Sequence, residues 1–554
     1  MDYNILVGGK AGQGMDTFAG LLEKILQRLG FNIYAHSDYM SRVRGGHNFF
    51  YIRFSDKELY SYSPDVDVVF ALDEETVKNH NDKLKKDGII IADSDIAKDS
   101  NIIHIPLNEI TGKLKNAMVA STVGLGAILK YFGLPMDAAI EVIKDELSEK
   151  VVEDNIAAIK EGYNLIDTKY SLETKINEKI LINGNQAAGV GAIAAGVKFY
   201  CGYPMTPSTG VLNYVAQHSD KYGIAVDQVE DEVAALNMAL GASYAGVRAM
   251  TGSSGGGFAL MVEALSLAGM IEVPIVVINV QRPGPATGFP TRTEQADLQF
   301  MIHAGHGEFP RMIMAFRDAE DAFYQTARAF NIAEKYQIPV LLMSDQYLAD
   351  SIVSKEPFDF NKINIERHIT NEIDTDEKYR RYKLTEDGIS PRILPGKIEG
   401  QVVLVDSDEH DEFGNITESD EIRIKMVNKR LKKFDGLRED IEEPWFIGEE
   451  YPENLVVCWG STYGAVKEAV SKLNAEGVSI GALVFGDIWP FPTKKLLELS
   501  KNAMKIIDVE QNATAQLDNL MRQEALIKST DKILKYDGRP FSGEELYLKI
   551  MEVL

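Results

Sequence analysis

Strand-sized apolar runs alternate with helical patterns along almost all of this 554-residue sequence, and no other feature limits the fold as strongly. Short buried strands separated by amphipathic helices build parallel sheets covered by helices, the α/β class. The length exceeds one ordinary core, so several such domains are expected. Residues 1–167 open with a strand at 3–7, a glycine-rich turn and a helix at 16–29, with further strands at 68–72 and 88–91. Residues 168–179 are polar, lack a core pattern and read as a linker. Residues 180–354 are rich in Gly and Ala, with helices predicted at 183–196, 232–245 and around 318–335, and strands at 274–279 and 339–344. Residues 355–450 are charged and weakly periodic, and long for a bare linker. That segment is expected to wrap over a neighbouring domain or subunit and to hold a helix at 420–433. Residues 451–554 return to α/β, with strands at 454–459, 478–484 and 503–509 and a helix at 463–476.

Composition narrows the function classes. No apolar run approaches the roughly 20 residues that cross a bilayer, and Met1-Asp2-Tyr3-Asn4 lacks the basic start of a signal peptide. The net charge of −25 disfavours nucleic acid and anionic membrane as partners. Two distant cysteines, Cys201 and Cys458, are too few for an iron–sulfur cluster, a structural zinc or a disulfide framework. A reducing, cytoplasmic location fits that usage, and no metal site is expected on this chain.

Several motifs sit where α/β folds bind ligands. Gly8-Gly9-Lys10-Ala11-Gly12-Gln13-Gly14 links a strand to a helix, so Gly12 and Gly14 suit an anion at a helix N-terminus, or simply a tight turn. The loop is neither a Walker loop nor G-x-G-x-x-G. Arg42 and Arg44, before Gly45-Gly46-His47, suit an anionic ligand or a turn with solvated charges. His47 shows no companions for a metal. In Tyr203-Pro204-Met205-Thr206-Pro207-Ser208-Thr209 the prolines restrict the backbone on both sides of Thr206. Thr206 is then either a fixed donor for a substrate carboxylate or, with Ser208, part of a helix entry. Glu230-Asp231-Glu232 precedes a helix rich in small apolar residues. Acids are favoured in a first turn by the helix dipole, but a carboxylate against so apolar a helix is also expected to be desolvated, its pKa raised, and suited to relaying protons. Thr251-Gly252-Ser253-Ser254-Gly255-Gly256-Gly257 allows close backbone approach to a ligand, and Arg282, after a buried strand, is placed for a carboxylate.

Together these segments, in this order, resemble the alpha-subunit family of 2-oxoacid:ferredoxin oxidoreductases in its fused gamma–alpha form. The carriers are residues 202–208, 230–235, 251–257, 281–297 and 459–464, with residues 8–14 and 44–48 similar to the gamma domain. The resemblance implies a multidomain α/β fold with parallel sheets: a gamma domain at 1–167, a pyrimidine-binding thiamine-diphosphate domain at 180–354 and a transketolase C-terminal-like domain at 451–554. It implies oxidative decarboxylation of a 2-oxoacid, with 2-oxoglutarate favoured, to an acyl-coenzyme A and CO2, electrons passing to ferredoxin. Carried over by position, Glu232 would bond the aminopyrimidine and promote loss of the C2 proton. Tyr203, Pro204, Gly252 and Ser253 would line the cofactor, and Thr206, Arg282, Thr287 and Thr291 would hold the substrate. Gly12, Gly14 and Arg44 are the candidate anion or coenzyme A site. Met205 stands where the pattern more often has isoleucine, a volume-conserving change. The resemblance places Mg2+, the diphosphate anchor and a [4Fe-4S] cluster on a separate beta subunit, in an expected (alpha–beta)2 assembly inactive without beta. The sequence leaves two other readings open: a nucleotide-binding regulatory subunit using residues 8–14, or a pyruvate or branched-chain 2-oxoacid enzyme of the same family.

Overall fold

In strand Asp2–Gly9 the run Ile5-Leu6-Val7 is wholly buried, as a strand covered on both faces requires. This computed structural model describes residues 1–40, 46–96, 102–373 and 376–554. The chain divides into two compact units, one of residues 1–183, 350–357 and 542–544, the other of 184–349, 358–541 and 545–554.

The first unit holds an eight-stranded mixed sheet. Its order is Ile102–Ile105, Leu84–Asp93, Val66–Ala71, Asp2–Gly9, Asn48–Ser55, Asn32–Asp38, Ile352–Lys355 and Ile180–Ile182. The first four strands are parallel and the later pairings antiparallel. Helix Met15–Arg28 buries Phe18, Leu21, Leu22, Ile25 and Leu26, the spacing of one helical face.

The second unit holds two sheets. The larger runs Asp487–Trp489, Met312–Ala315, Pro339–Asp345, Ile275–Gln281, Arg248–Ser253, Val197–Gly202 and Ala225–Gln228. All its pairings are parallel except that of Asp487–Trp489 with Met312–Ala315. The smaller sheet runs Trp445–Gly448, Ile480–Phe485, Asn454–Trp459, Lys505–Glu510 and Asp531–Leu534, parallel beyond its first pairing. The strand Asp487–Trp489 thus carries residues near the C-terminus onto the edge of the larger sheet. Arg328 holds it there by bonding both carboxylate oxygens of buried Asp487, at 2.7 and 2.8 Å. Among the described residues no helix is long and apolar enough to cross a membrane.

The charged segment differs most from its sequence reading. Its helix spans Asp420–Asp440 and is capped by Ser419, whose side chain accepts from Ile422 N–H. Apolar periodicity predicts only 420–433 because the buried face is largely polar: it turns Met426, Lys429, Arg430, Lys433 and Leu437 inward. The two lysines close on buried Glu272, at 2.7 and 2.5 Å, and Arg381 bonds the Glu272 carbonyl at 2.5 Å. Burial pushes the Glu272 carboxyl up, yet Lys429, Lys433 and Arg381 outweigh it and hold it well below the usual carboxylate range. Burial pulls Lys433 down to about 7. Removing one partner leaves a buried charge uncompensated, so Glu272→Ala is expected to destabilise this unit by about 3–5 kcal/mol. An unfolding midpoint equal to the wild type would show that these lysines are not held by Glu272.

Candidate functional site

Five strands of the larger sheet end at Gly202, Ser253, Gln281, Asp345 and Ala315, and parallel pairing puts those ends along one edge. The motifs singled out in the sequence follow directly: residues 203–208 after Gly202, 254–257 after Ser253 and Arg282 after Gln281. Carboxyl-end crevices of such sheets are where ligands bind.

The three adjacent acids have separate tasks. Glu230 is exposed. Asp231 is the N-cap of helix Glu232–Tyr244, accepting from Ala234 N–H at 2.8 Å, which satisfies one free donor of the first turn. Glu232 alone turns inward and is 3% exposed. Its Oε1 accepts from Ser253 Oγ at 3.3 Å, and Ser253 Oγ lies 3.6 Å from Met205 Sδ. A Cβ at Gly257 would collide with both Ser253 Oγ and Glu232 Oε1, so the third glycine of the loop is what lets the backbone pass the carboxylate.

Met205 leads into Thr206, which joins Pro207 through a cis peptide. Arg282 Nη1 donates to the Thr206 carbonyl at 2.7 Å. Thr206 therefore meets Arg282 through its backbone carbonyl. That carbonyl is the one acceptor of Arg282 among the described residues, so the rest of the half-buried guanidinium fork is free for a planar anion. Ser208 takes the N-cap position of helix Thr209–Gln217 but makes no side-chain cap bond. Its hydroxyl is buried and unpaired among the described residues, as is that of Tyr200. Tyr203 is exposed, Pro204 half-buried, and Gly252 packs against Ile278, Tyr200 and Ser208. Thr206, Glu232, Gly252, Ser253 and Arg282 thus fall into one contiguous set. Thr291 is buried in the loop that follows Arg282, whereas Thr287 is exposed at its tip.

Residues the sequence reading did not single out close this loop. Asp297 accepts from Asn279 Nδ2 at 2.9 Å, and its backbone N–H donates to Gln281 Oε1 at 3.0 Å. Burial raises the Asp297 carboxyl, and burial with the nearby Asp297 charge brings Glu294 up to about 7. An acid closing an apolar strand, as Asp345 does, is the signal that could have flagged the neighbouring strand end.

In the first unit the glycine loop is partly self-satisfied. Gln13 accepts from Lys10 N–H at 2.6 Å and donates to Leu72 O at 3.2 Å. Gly12 is exposed with open space around it, and Gly14 caps helix Met15–Arg28 in a left-handed conformation. Arg44 lies outside the described residues. His47 does have a companion: its Nε2 lies 2.7 Å from His80 Nε2 in a buried pair. Burial lowers both imidazoles, His80 to about 3, so the pair is neutral near pH 7.

Three family models match the chain in turn. One described as pyruvate ferredoxin/flavodoxin oxidoreductase covers residues 4–165, one described as pyruvate flavodoxin/ferredoxin oxidoreductase, thiamine diP-bdg, covers 190–429, and one described as pyruvate:ferredoxin oxidoreductase core domain II covers 452–543. A 2-oxoacid:ferredoxin oxidoreductase subunit alpha from Sulfolobus sp is 34% identical over 100% of this chain and 97% of its own. The chain belongs to the 2-oxoacid:ferredoxin oxidoreductase alpha-subunit family. Members of this family belong to oxidoreductases of several subunits, and the thiamine-binding match contains Thr206, Glu232, Ser253 and Arg282. The 2-oxoglutarate synthase subunit KorA of Methanocaldococcus jannaschii is 35% identical over 60% of this chain and 88% of its own. A solved 2-oxoglutarate:ferredoxin oxidoreductase from Magnetococcus marinus, with 2-oxoglutarate, coenzyme A and succinyl-CoA bound, superposes with a TM-score of 0.93 at 32% identity, covering 100% of this chain and 99% of that one.

Because a side chain at residue 257 has no room, Gly257→Ala is expected to displace Glu232 and cost about 1–3 kcal/mol, the usual penalty of overpacking. Calorimetry of the variant checks this. An unchanged midpoint would mean that the space beside Glu232 is larger than it is here.

Proposed function

We propose that this chain supplies the pyrimidine and substrate-carboxylate side of a thiamine-diphosphate site shared with a beta subunit, and that the assembled enzyme oxidatively decarboxylates 2-oxoacids, 2-oxoglutarate first among them. The observation that carries this reading is Glu232: of three consecutive acids it alone is buried, and it alone meets the glycine loop.

The residues present fit the cofactor. A carboxylate with a glycine-lined backbone beside it suits the flat edge of an aminopyrimidine. Bound thiamine diphosphate supplies the nucleophilic carbon and the electron sink for decarboxylation. Glu232 holds a proton at a pyrimidine ring nitrogen, and Ser253 keeps that carboxylate in one orientation. Tyr203, Pro204 and Gly252 shape the surrounding wall. Arg282 offers its open fork to the substrate carboxylate, with the Thr206 hydroxyl, Thr291 and Thr287 assigned as its further contacts, which would fix the substrate before reaction.

Cys201 and Cys458 are both buried, and burial pushes each thiol up to about 12, which suits packing and not ligation by thiolates. Mg2+ and the [4Fe-4S] cluster are therefore assigned to the beta subunit, which ferredoxin would meet. The apolar side chains left exposed near the site, Tyr203, Val233, Met238, Leu260 and Phe289, are the surface we assign to beta docking. Coenzyme A is taken as the acyl acceptor, with Gly12, Gly14 and Arg44 as its candidate anion contacts. Preference for 2-oxoglutarate is supported by the bound ligands of the Magnetococcus marinus enzyme and by the KorA relatives. The domain limits at 167, 180, 354 and 451, the (alpha–beta)2 assembly and the cytoplasmic location belong to the same proposal.

In the assembled complex, Glu232→Gln is expected to abolish 2-oxoacid turnover while thiamine diphosphate still binds, as read by titration calorimetry. Near-normal turnover would remove Glu232 from the chemistry. Arg282→Ala is expected to raise KM for 2-oxoglutarate by about tenfold or more, the loss typical of a hydrogen bond to a charged group. An unchanged KM excludes Arg282 from the substrate site.

A further inference from the structure

Two strand ends, those of Pro339–Asp345 and Met312–Ala315, supply no residue to the proposed site, and the first of them ends on a buried carboxylate. Asp345 is 1% exposed and stands in register with Gln281, the residue before Arg282. Its carboxylate gathers donors from three directions. Oδ1 accepts from Thr293 Oγ1 at 3.2 Å and from Leu348 N–H at 3.1 Å. Oδ2 accepts from Ser461 Oγ at 2.5 Å and from Gln295 Nε2 at 3.5 Å. Thr293 lies two residues beyond Thr291, and its hydroxyl also accepts from Tyr347 N–H at 3.3 Å. Gln281 closes the other side of the same loop, donating to Ser344 O at 3.1 Å and accepting from Asp297 N–H. Gln295 carries the network on, donating to Trp459 O at 3.1 Å and, through its backbone, to Gln511 O at 2.7 Å.

The loop from Arg282 to Asp297 therefore leaves and re-enters the fold at neighbouring points, and one buried carboxylate is bonded to its returning arm and to the element that starts helix Tyr463–Ala475. A charge held so deep needs its donors. Burial raises the Asp345 carboxyl against the pull of Ser461, Leu348 and Thr293.

We propose that Asp345 is a positioning residue for substrate binding: through Thr293 and Gln295 it fixes the loop that presents Arg282 and Thr291, and through Ser461 it couples that loop to the C-terminal sheet. This rests on the reading of Arg282 and Thr291 as substrate contacts. Glu232 is set by a different helix, so a slack loop weakens capture of the substrate more than the step that follows.

The test uses the alpha–beta complex carrying Asp345→Asn, Thr293→Val or Thr293→Ser. Steady-state kinetics with 2-oxoglutarate are combined with hydrogen exchange over residues 283–293. Asp345→Asn and Thr293→Val are expected to raise KM about tenfold or more with a much smaller fall in kcat, and to speed exchange in the loop. Thr293→Ser, which keeps the hydroxyl, is expected to stay near the wild type in both. Unchanged KM in the first two variants, or a fall of kcat and unfolding midpoint with KM unmoved, overturns the proposal. If the wild-type complex turns over no 2-oxoacid, the functional reading has failed by itself. Exchange then decides the role of Asp345: faster in Asp345→Asn and Thr293→Val but not in Thr293→Ser supports it, and uniform exchange overturns it.

Discussion

Parallel pairing makes the central strands of the larger sheet end on the same side, and the site is a consequence of that alignment. Gly202, Ser253, Gln281 and Asp345 close four adjacent strands, so segments far apart in sequence arrive along one edge. The contacts of Glu232 and Arg282 are not local. Glu232 meets Ser253 across 21 residues and Arg282 meets Thr206 across 76. Register carries the chemistry here: a strand slipped by one residue would turn Ser253 or Gln281 to the opposite face.

The alignment is backed by buried charge. Glu272 with Lys429, Lys433 and Arg381, Asp487 with Arg328, and Asp345 with Thr293 and Ser461 each tie residues far apart in the chain. Such clusters add little net stability compared with apolar packing, because desolvation offsets most of the attraction. What they supply is direction, since a carboxylate accepts its donors only in certain places. In this protein they lie at the joins between the strand ends, the charged helix Asp420–Asp440 and the C-terminal sheet.

Much of this was legible in the sequence. The alternation of apolar runs marks helices Gly184–Ala194 and Glu232–Tyr244 and strands Ile275–Gln281 and Pro339–Asp345 to within a few residues, because apolar periodicity is the signal that burial imposes. Strands Ala225–Gln228, Ile352–Lys355 and Asp487–Trp489 were not visible, since three or four residues are too few to show a period. Apolar periodicity marks only part of helix Asp420–Asp440, because its inward face carries lysines whose burial depends on Glu272, 157 residues from Lys429. Proline spacing flagged Thr206, but no pattern could say that its carbonyl, not its hydroxyl, meets Arg282. His47 looked solitary because His80 reaches it only through the fold. Asp345 shows in the sequence only as an acid closing an apolar strand, and its importance lies in partners drawn from three separate segments.

The central claim is that this chain holds half of an active site. Its most direct test is reduction of an iron–sulfur acceptor dependent on 2-oxoglutarate, with thiamine diphosphate, Mg2+ and coenzyme A supplied, by this chain alone, by the beta subunit alone and by the two combined. The account predicts turnover in the combination and none in either part. Turnover by this chain alone, or a combined complex inert toward every 2-oxoacid offered, would contradict it.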